Sequence, residues 1–184
     1  MPAHPPDCLG SRARSHRKVA SAFLEAGLIT NVYIDGFNFY YGSLKGTPHR
    51  WVNPLALCQL YLPNNIIGEI KYFTALVSAR PDDLDQPVRQ QTYLRALSTV
   101  PEISVHLGHF LSHKVSMKLA TPINGQRYVK VIKTEEKGSD VNLASYLLRD
   151  VYVSNLTHAV IVSGDSDLSN ALKFASEAGT HISL

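Results

Sequence analysis

Apolar residues along this chain come in short runs of two kinds. Asn31-Val32-Tyr33-Ile34 is a brief β-rich run that ends at Asp35-Gly36. Ile66 to Val77 carries β-formers, and Ile103 to Phe110 reads as a further strand. His158 to Ser163 holds Ala-Val-Ile-Val, the continuous apolar run expected of a strand buried on both faces in a parallel sheet. Thr180 to Leu184 starts a last strand.

Between these runs the apolar spacing is helical. Phe37 to Leu44 reads as an aromatic turn and first helix, and Pro54 to Leu62 as a helix stopped by Pro63-Asn64-Asn65. Pro81-Asp82-Asp83 marks a loop, after which Leu84 to Thr99 turns Leu84, Val88, Tyr93, Leu94 and Leu97 inward. Asp140 to Val151 places Leu143, Leu147 and Val151 on one face, with Ser139 as the expected N-cap. Asp167 to Ala178 is stopped by Gly179. Residues 111–127 are polar and hold Pro122 and the turn signal Asn124-Gly125. Arg127 to Lys133 alternates basic and apolar residues, as a half-exposed strand does.

Strands thus alternate with helices, which predicts an α/β fold: a mainly parallel central sheet with helices on both faces. The strands near Asn31 and His158 both deliver acids and are expected to be central neighbours.

The 184 residues suit one domain. Residues 1–30 read as an extension, disordered over its proline-containing start, with a short helix over Ala20 to Leu28. The domain proper spans residues 31–184, and such a sheet is expected to continue past Leu184. The formal charge of +3 and pI of about 8.8 are only mildly basic. They carry more weight if the acids gather at one place, because the remaining surface is then more basic than the total. Cys8 and Cys58 form no C-x-x-C pair, which fits a reducing cytoplasm. No apolar run approaches the ~20 residues of a membrane span.

Asp35 ends the first strand, Asp165 and Asp167 follow the Val-Ile-Val strand, and Asp140 opens a helix after Gly138-Ser139. In an open parallel sheet, ligands bind outside the carboxyl ends of the strands, and strand position alone places Asp35, Asp165 and Asp167 there. Gathered carboxylates repel: at ~4 Å one pair costs about 4 kcal/mol at an effective dielectric of 20. A hard divalent cation, Mg²⁺ or Mn²⁺, resolves that repulsion through oxygen ligands. The eight histidines show no H-E-x-x-H or H-x-x-x-H spacing, so zinc is not expected. Each motif alone could be only a turn or a helix cap; their joint occurrence on an α/β pattern is what points to a metal site. Tyr40, among Phe37, Phe39 and Tyr41, is a candidate to stack on unpaired bases. Lys130, Lys133 and Lys137 could form a phosphate track, or an ordinary solvated strand face.

The segments VYIDGFNFYYG, RQQTYLRAL, EEKGSDVNLASYLL and HAVIVSGDSDLSNAL resemble the NYN domain, the LabA-like branch of the PIN-like nuclease superfamily. The resemblance runs from about Asn31 to the end. It implies that Asp35, Asp140, Asp165 and Asp167 form the acidic Mg²⁺ or Mn²⁺ site. It gives Asn38 the role of orienting a ligand or the scissile phosphate, and matches Arg89-Gln90 to the family's R-Q pair. The implied activity is metal-dependent ribonuclease cleavage of RNA, single-stranded or with unpaired segments; a homodimer is compatible with it. Where many relatives carry a further Asp after the K-G-x-D aspartate, this chain has Ser145 and Tyr146. A non-catalytic RNA-binding or regulatory module is the alternative. A haloacid dehalogenase-like phosphatase needs an acid two residues after its first Asp, where this chain has Phe37. Ser163 and Ser166 lack a partnered His, so water is the expected nucleophile, with Asp167 or Asp140 accepting its proton.

Overall fold

The structure, a computed structural model, describes residues 28–184. The expected disorder and helix before residue 28 lie outside the described residues. The first strand, β1 (Leu28–Asp35), begins ahead of the expected Asn31. It pairs in parallel with β2 (Asn65–Ala75) on one side and β5 (His158–Val162) on the other. With β3 (Ile103–Ile123), β4 (Gln126–Lys137) and β6 (His181–Ser183), the order across the sheet is β4-β3-β2-β1-β5-β6. Every pairing is parallel except β3 with β4. The two acid-bearing strands are thus central neighbours, as the sequence predicts.

Five α-helices connect the strands: α1 (Gly36–Phe39), which runs into a π turn over Tyr40–Leu44, α2 (Pro54–Tyr61), α3 (Gln86–Leu97), α4 (Ser139–Val153) and α5 (Ser169–Glu177). Successive strand residues point to opposite sides, so the same strands feed two apolar clusters. Tyr33, Phe73, Ala159 and Ile161 pack with Leu143, Leu147 and Val151 of α4 and Ala175 of α5. Their neighbours Val32, Ile34, Ile70 and Tyr72 pack with Cys58 of α2 and Leu94 and Leu97 of α3. Each large side chain so buried contributes ~1.5–3 kcal/mol.

Three details depart from the sequence reading. The polar stretch 111–127, for which the sequence marks only the turn at Asn124-Gly125, is strand on both sides of that turn. β3 runs on to Ile123 and returns as β4 through Asn124 (φ 49°) and Gly125 (φ 77°), a two-residue turn of the type that Asn-Gly favours. This part of the hairpin covers no core, so only the alternation over Arg127 to Lys133, within β4, is readable as strand, and the β3 half shows no such pattern. Leu84 and Val88 are 71% and 63% exposed, because α3 packs through its last turns, at Leu94 and Leu97, and not along its whole length. Ser139 is not the N-cap of α4: Gly138, at φ 97°, holds that position. Ser139 is the first helical residue, and its N–H and hydroxyl both donate to Glu136 Oε1, at 3.1 and 2.8 Å.

Candidate functional site

Asp35 closes β1 at the carboxyl edge of the sheet and is 2% exposed. Its Oδ1 accepts the backbone N–H groups of Phe37 (3.1 Å) and Asn38 (3.0 Å), capping α1. Its Oδ2 accepts the Asn38 amide at 2.6 Å and the Ser163 hydroxyl at 3.0 Å. Four donors therefore hold one buried carboxylate, about as many as its lone pairs accommodate. The close turn needs glycine at 36, because a Cβ there would stand 2.7 Å from the Tyr72 ring and 2.8 Å from the Phe73 carbonyl.

Ser163 joins the two strand ends. While donating to Asp35, it accepts the Asp165 N–H at 3.1 Å. Asp165 in turn caps a 3₁₀ turn (Ser166–Leu168) by accepting the Asp167 N–H at 2.9 Å. The Asp167 side chain is exposed, and Asp140, half-buried, stands in the first turn of α4. The Asp140 carboxyl is pushed up to about 6, first by burial and then by the charges of Asp35, Asp165, Glu136 and Asp167. All four predicted aspartates therefore share one electrostatic neighbourhood. Glu136 joins them, a fifth acid that the sequence reading missed because it precedes the Gly-Ser motif on a strand that reads as solvated.

The residues suit a hard cation by donor chemistry: the donors are carboxylate oxygens, no basic group is among the influences on Asp140, and that carboxyl is held partly protonated. Asp35 contributes least freely, since its oxygens are already engaged. Among the described residues, no three His, Cys, Asp or Glu side chains stand in metal-holding geometry as placed. Asp140 and Asp167 make no side-chain hydrogen bond within the described residues, so turning inward costs them none.

Beside the acids lies a cavity of about 190 Å³, walled by Phe37, Tyr40, Tyr41, Trp51, Tyr72 and Tyr93. Tyr40 is half-buried in this wall, and Tyr41, 45% exposed, is the more accessible ring. Phe39 packs into the core cluster of α2 and α3. Gln86 also lines the cavity, and its Oε1 is the one buried side-chain polar atom among the described residues without a hydrogen-bond partner. Of the R-Q pair, Gln90 is structural: it donates to the Ala75 carbonyl and accepts the Val77 N–H, both at 2.9 Å, tying α3 to the end of β2. Arg89 pairs with Asp83 at 2.6 Å. Lys130, Lys133 and Lys137 do not form one track. Lys133 and Lys137 both bridge to Glu135, at 2.5 and 3.4 Å, and Lys130, an odd number of residues from each, points to the other side of β4.

A second polar group lies deeper on the same side of the sheet. Lys71, opposite Tyr33 in the register, pairs with Asp150 of α4 at 2.8 Å and with Glu69. Tyr33 donates to the same Asp150 oxygen at 2.6 Å, and burial, then Asp150, push its hydroxyl far above the usual tyrosine range. Ser104 donates to Glu69 at 2.8 Å and lies 3.0 Å from His106 Nε2. His106 stacks on Phe73 with ring centres 5.0 Å apart; burial, then Lys71, hold its pKa down.

An α/β domain with acids collected at the carboxyl ends of adjacent parallel strands is the class this geometry defines. The chain belongs to the NYN domain family: residues 29–184 match it, covering the whole described domain. Members of that family are generally nuclease-like hydrolases. The chain is also similar to 6-hydroxy-3-succinoylpyridine 3-monooxygenase HspA of Pseudomonas putida, 35% identical over 172 residues. That alignment covers 79% of this chain and 55% of the relative, so the chain spans about half that protein's length. A crystal structure of a protein of unknown function from Vibrio parahaemolyticus shares the fold, with a TM-score of 0.50 at 14% identity, over 86% of this chain and 80% of that one. No helix among the described residues is long and apolar enough to cross a membrane.

Proposed function

We propose that this domain is a Mg²⁺- or Mn²⁺-dependent ribonuclease that hydrolyses RNA phosphodiester bonds by attack of water. One observation carries the reading. Four acids act on Asp140, with burial, to hold its carboxyl near 6, and no lysine or arginine offsets them. Asp35, Asp140, Asp165 and Asp167 would hold the cation, which when bound would polarise the phosphoryl oxygens and lower the pKa of a nearby water. Asn38 is tied to Asp35 through its amide nitrogen. It would orient a water or a phosphate oxygen without adding charge. Asp140, already close to half-protonated near pH 6, and the exposed Asp167 are the groups suited to accept the proton of the attacking water. Ser163 is committed to Asp35 and Asp165, so it is a spacer between strand ends and not a nucleophile.

The test is Mn²⁺-dependent cleavage of end-labelled single-stranded RNA by the wild type and by Asp165→Asn. The wild type should give products with 5′-phosphate and 3′-hydroxyl ends, and the variant should lose about two to three orders of magnitude in rate. A 2′,3′-cyclic phosphate product would show that the RNA supplies its own nucleophile. RNA binding without cleavage by the wild type would favour a non-catalytic RNA-binding module.

A second reading is hydroxylation of a small aromatic substrate. The relative named a monooxygenase and the ring-lined cavity beside Asp35 favour it. Turnover of 6-hydroxy-3-succinoylpyridine with molecular oxygen and a nicotinamide reductant, unaffected by Asp165→Asn, would replace the ribonuclease reading.

A further inference from the structure

Beyond Gly108, β3 no longer pairs with β2; from His109 it pairs with β4 alone. The two strands leave the sheet as a ribbon, and such a ribbon is marginal by itself, with both faces open. The register sorts its side chains by face. Lys114 and Lys118 of β3 lie across from Ile132 and Tyr128 of β4, and Lys130 lies on the same face across from Ser116. None of these three lysines makes an ion pair among the described residues. The opposite face carries Lys133 and Lys137, which share the single carboxylate of Glu135 and so keep one net positive charge between them, with Val115 and Met117.

The uncompensated face leads to the acid site. At its inner end stand Phe110 and Glu136, paired with each other in the register. Phe110 packs edge-on against Phe37, ring centres 5.8 Å apart, in the wall of the aromatic cavity. Glu136 holds the N–H of Ser139, next to Asp140. From Tyr128 to Glu136 the strand covers roughly 27 Å at ~3.4 Å per residue, long enough for several nucleotides.

We infer that this ribbon face is the track that leads a single-stranded RNA backbone to the acid site; the inference rests on the ribonuclease reading. A polyanion is repelled by a cluster of five carboxylates, so an approaching strand needs positive charge outside that cluster. Lys114, Lys118 and Lys130 supply it where no ion pair cancels it, with Tyr128 (57% exposed) across from Lys118 and next to Lys130 on that face as a ring for a base to stack on. Lys133 and Lys137, both held by Glu135, offer one net charge between them against three on the other face.

Two variants with equal loss of charge test the assignment: Lys114→Gln/Lys130→Gln, and Lys133→Gln/Lys137→Gln. The probe is a fluorescein-labelled oligouridylate of about twenty nucleotides, longer than the ~4–16 of a typical site. Binding is read by anisotropy in EDTA across a salt series, so no chemistry enters. The first variant should bind at least about ten-fold more weakly, with a salt slope lower by ~1.4, from two lost phosphate contacts at ~0.7 each. The second should stay within about three-fold of wild type and keep its slope. Lys114→Arg/Lys130→Arg should restore binding, separating charge from any damage to the ribbon. Equal effects of the two variants, no effect of the first, or wild-type binding to phosphatidylserine vesicles in place of RNA would each overturn the inference. RNA binding with this asymmetry but no Mn²⁺-dependent cleavage would instead sink only the ribonuclease reading.

Discussion

Two groups of carboxylates sit on one side of the same sheet, and they differ in what surrounds them. In the deeper group, Glu69 and Asp150 have Lys71 between them, with Tyr33 and Ser104 donating to their remaining oxygens. Lys71 and Asp150 are 4% and 5% exposed, yet each charge is met from within the chain. At the carboxyl edge, two residues along β1 from Tyr33, Asp35 is saturated by hydrogen bonds but by no cation. The acids around it burden Asp140 with charge that no lysine offsets. A group whose carboxylates are bridged by its own lysine holds elements together; a group in which no lysine stands among the acids is the one suited to a partner from outside. α4 links the two, with Asp140 in its first turn and Asp150 ten residues, about 15 Å, further along.

The contrast can be broken hardest at Lys71. Lys71→Met strands Asp150 and Glu69 without a cation, and should lower unfolding stability by ~3–5 kcal/mol in urea titrations. Adding Asp150→Leu should recover part of that loss, because it removes the orphaned buried charge. A single variant as stable as wild type would show that Lys71 does not hold the deeper group together as described. At the edge, by contrast, Asn38→Ala should leave stability close to wild type and slow RNA cleavage by roughly ten- to a thousand-fold, the scale of losing a positioned polar group. Unchanged turnover would remove Asn38 from the site.

Much of this architecture is legible in the sequence, because it follows from patterns that sequence displays. Asn31 to Ile34 reads as a β-rich run and His158 to Ser163 as a buried strand, each with acids at or just past its end, and the structure places them side by side. The deeper group is not legible. Lys71 in a β-rich run looks like an ordinary solvated position until the register sets it opposite Tyr33 and beneath Asp150, far along the chain. The aromatic cavity draws Phe37, Trp51, Tyr72 and Tyr93 from separate segments, so no local motif announces it. Of the ribbon, the turn at Asn124-Gly125 and the alternating Arg127 to Lys133 are legible; the outer half of β3 escapes because periodicity reports burial, and most of its side chains are exposed. Lys130, Lys133 and Lys137 look equivalent in sequence and are divided only by strand alternation and by Glu135.

A smaller effect separates the two groups by pH. The folded pKa of Asp140, about 6, lies above its ordinary 3.8, so the folded protein binds more protons in that window. Its contribution to stability is present below about 3.8 and is lost as pH rises through about 6. The pKa of His106 is lowered from 6.5, first by burial and then by Lys71, so its contribution is present above 6.5 and is lost as pH falls through its folded value. In metal-free buffer, Asp140→Asn should flatten the stability profile on the acid side without changing the His106 limb. A variant profile parallel to wild type throughout would show that the acids do not burden Asp140.

Thermal melting with and without Mn²⁺, on the wild type and on Asp35→Asn/Asp165→Asn, tests most directly whether the edge group awaits an external cation. Binding at a hundred-fold excess over Kd stabilises by about 2.7 kcal/mol. The wild type should therefore melt several degrees higher with Mn²⁺, and the double variant should not respond. Equal upward shifts in both proteins, or none in either, would contradict the account.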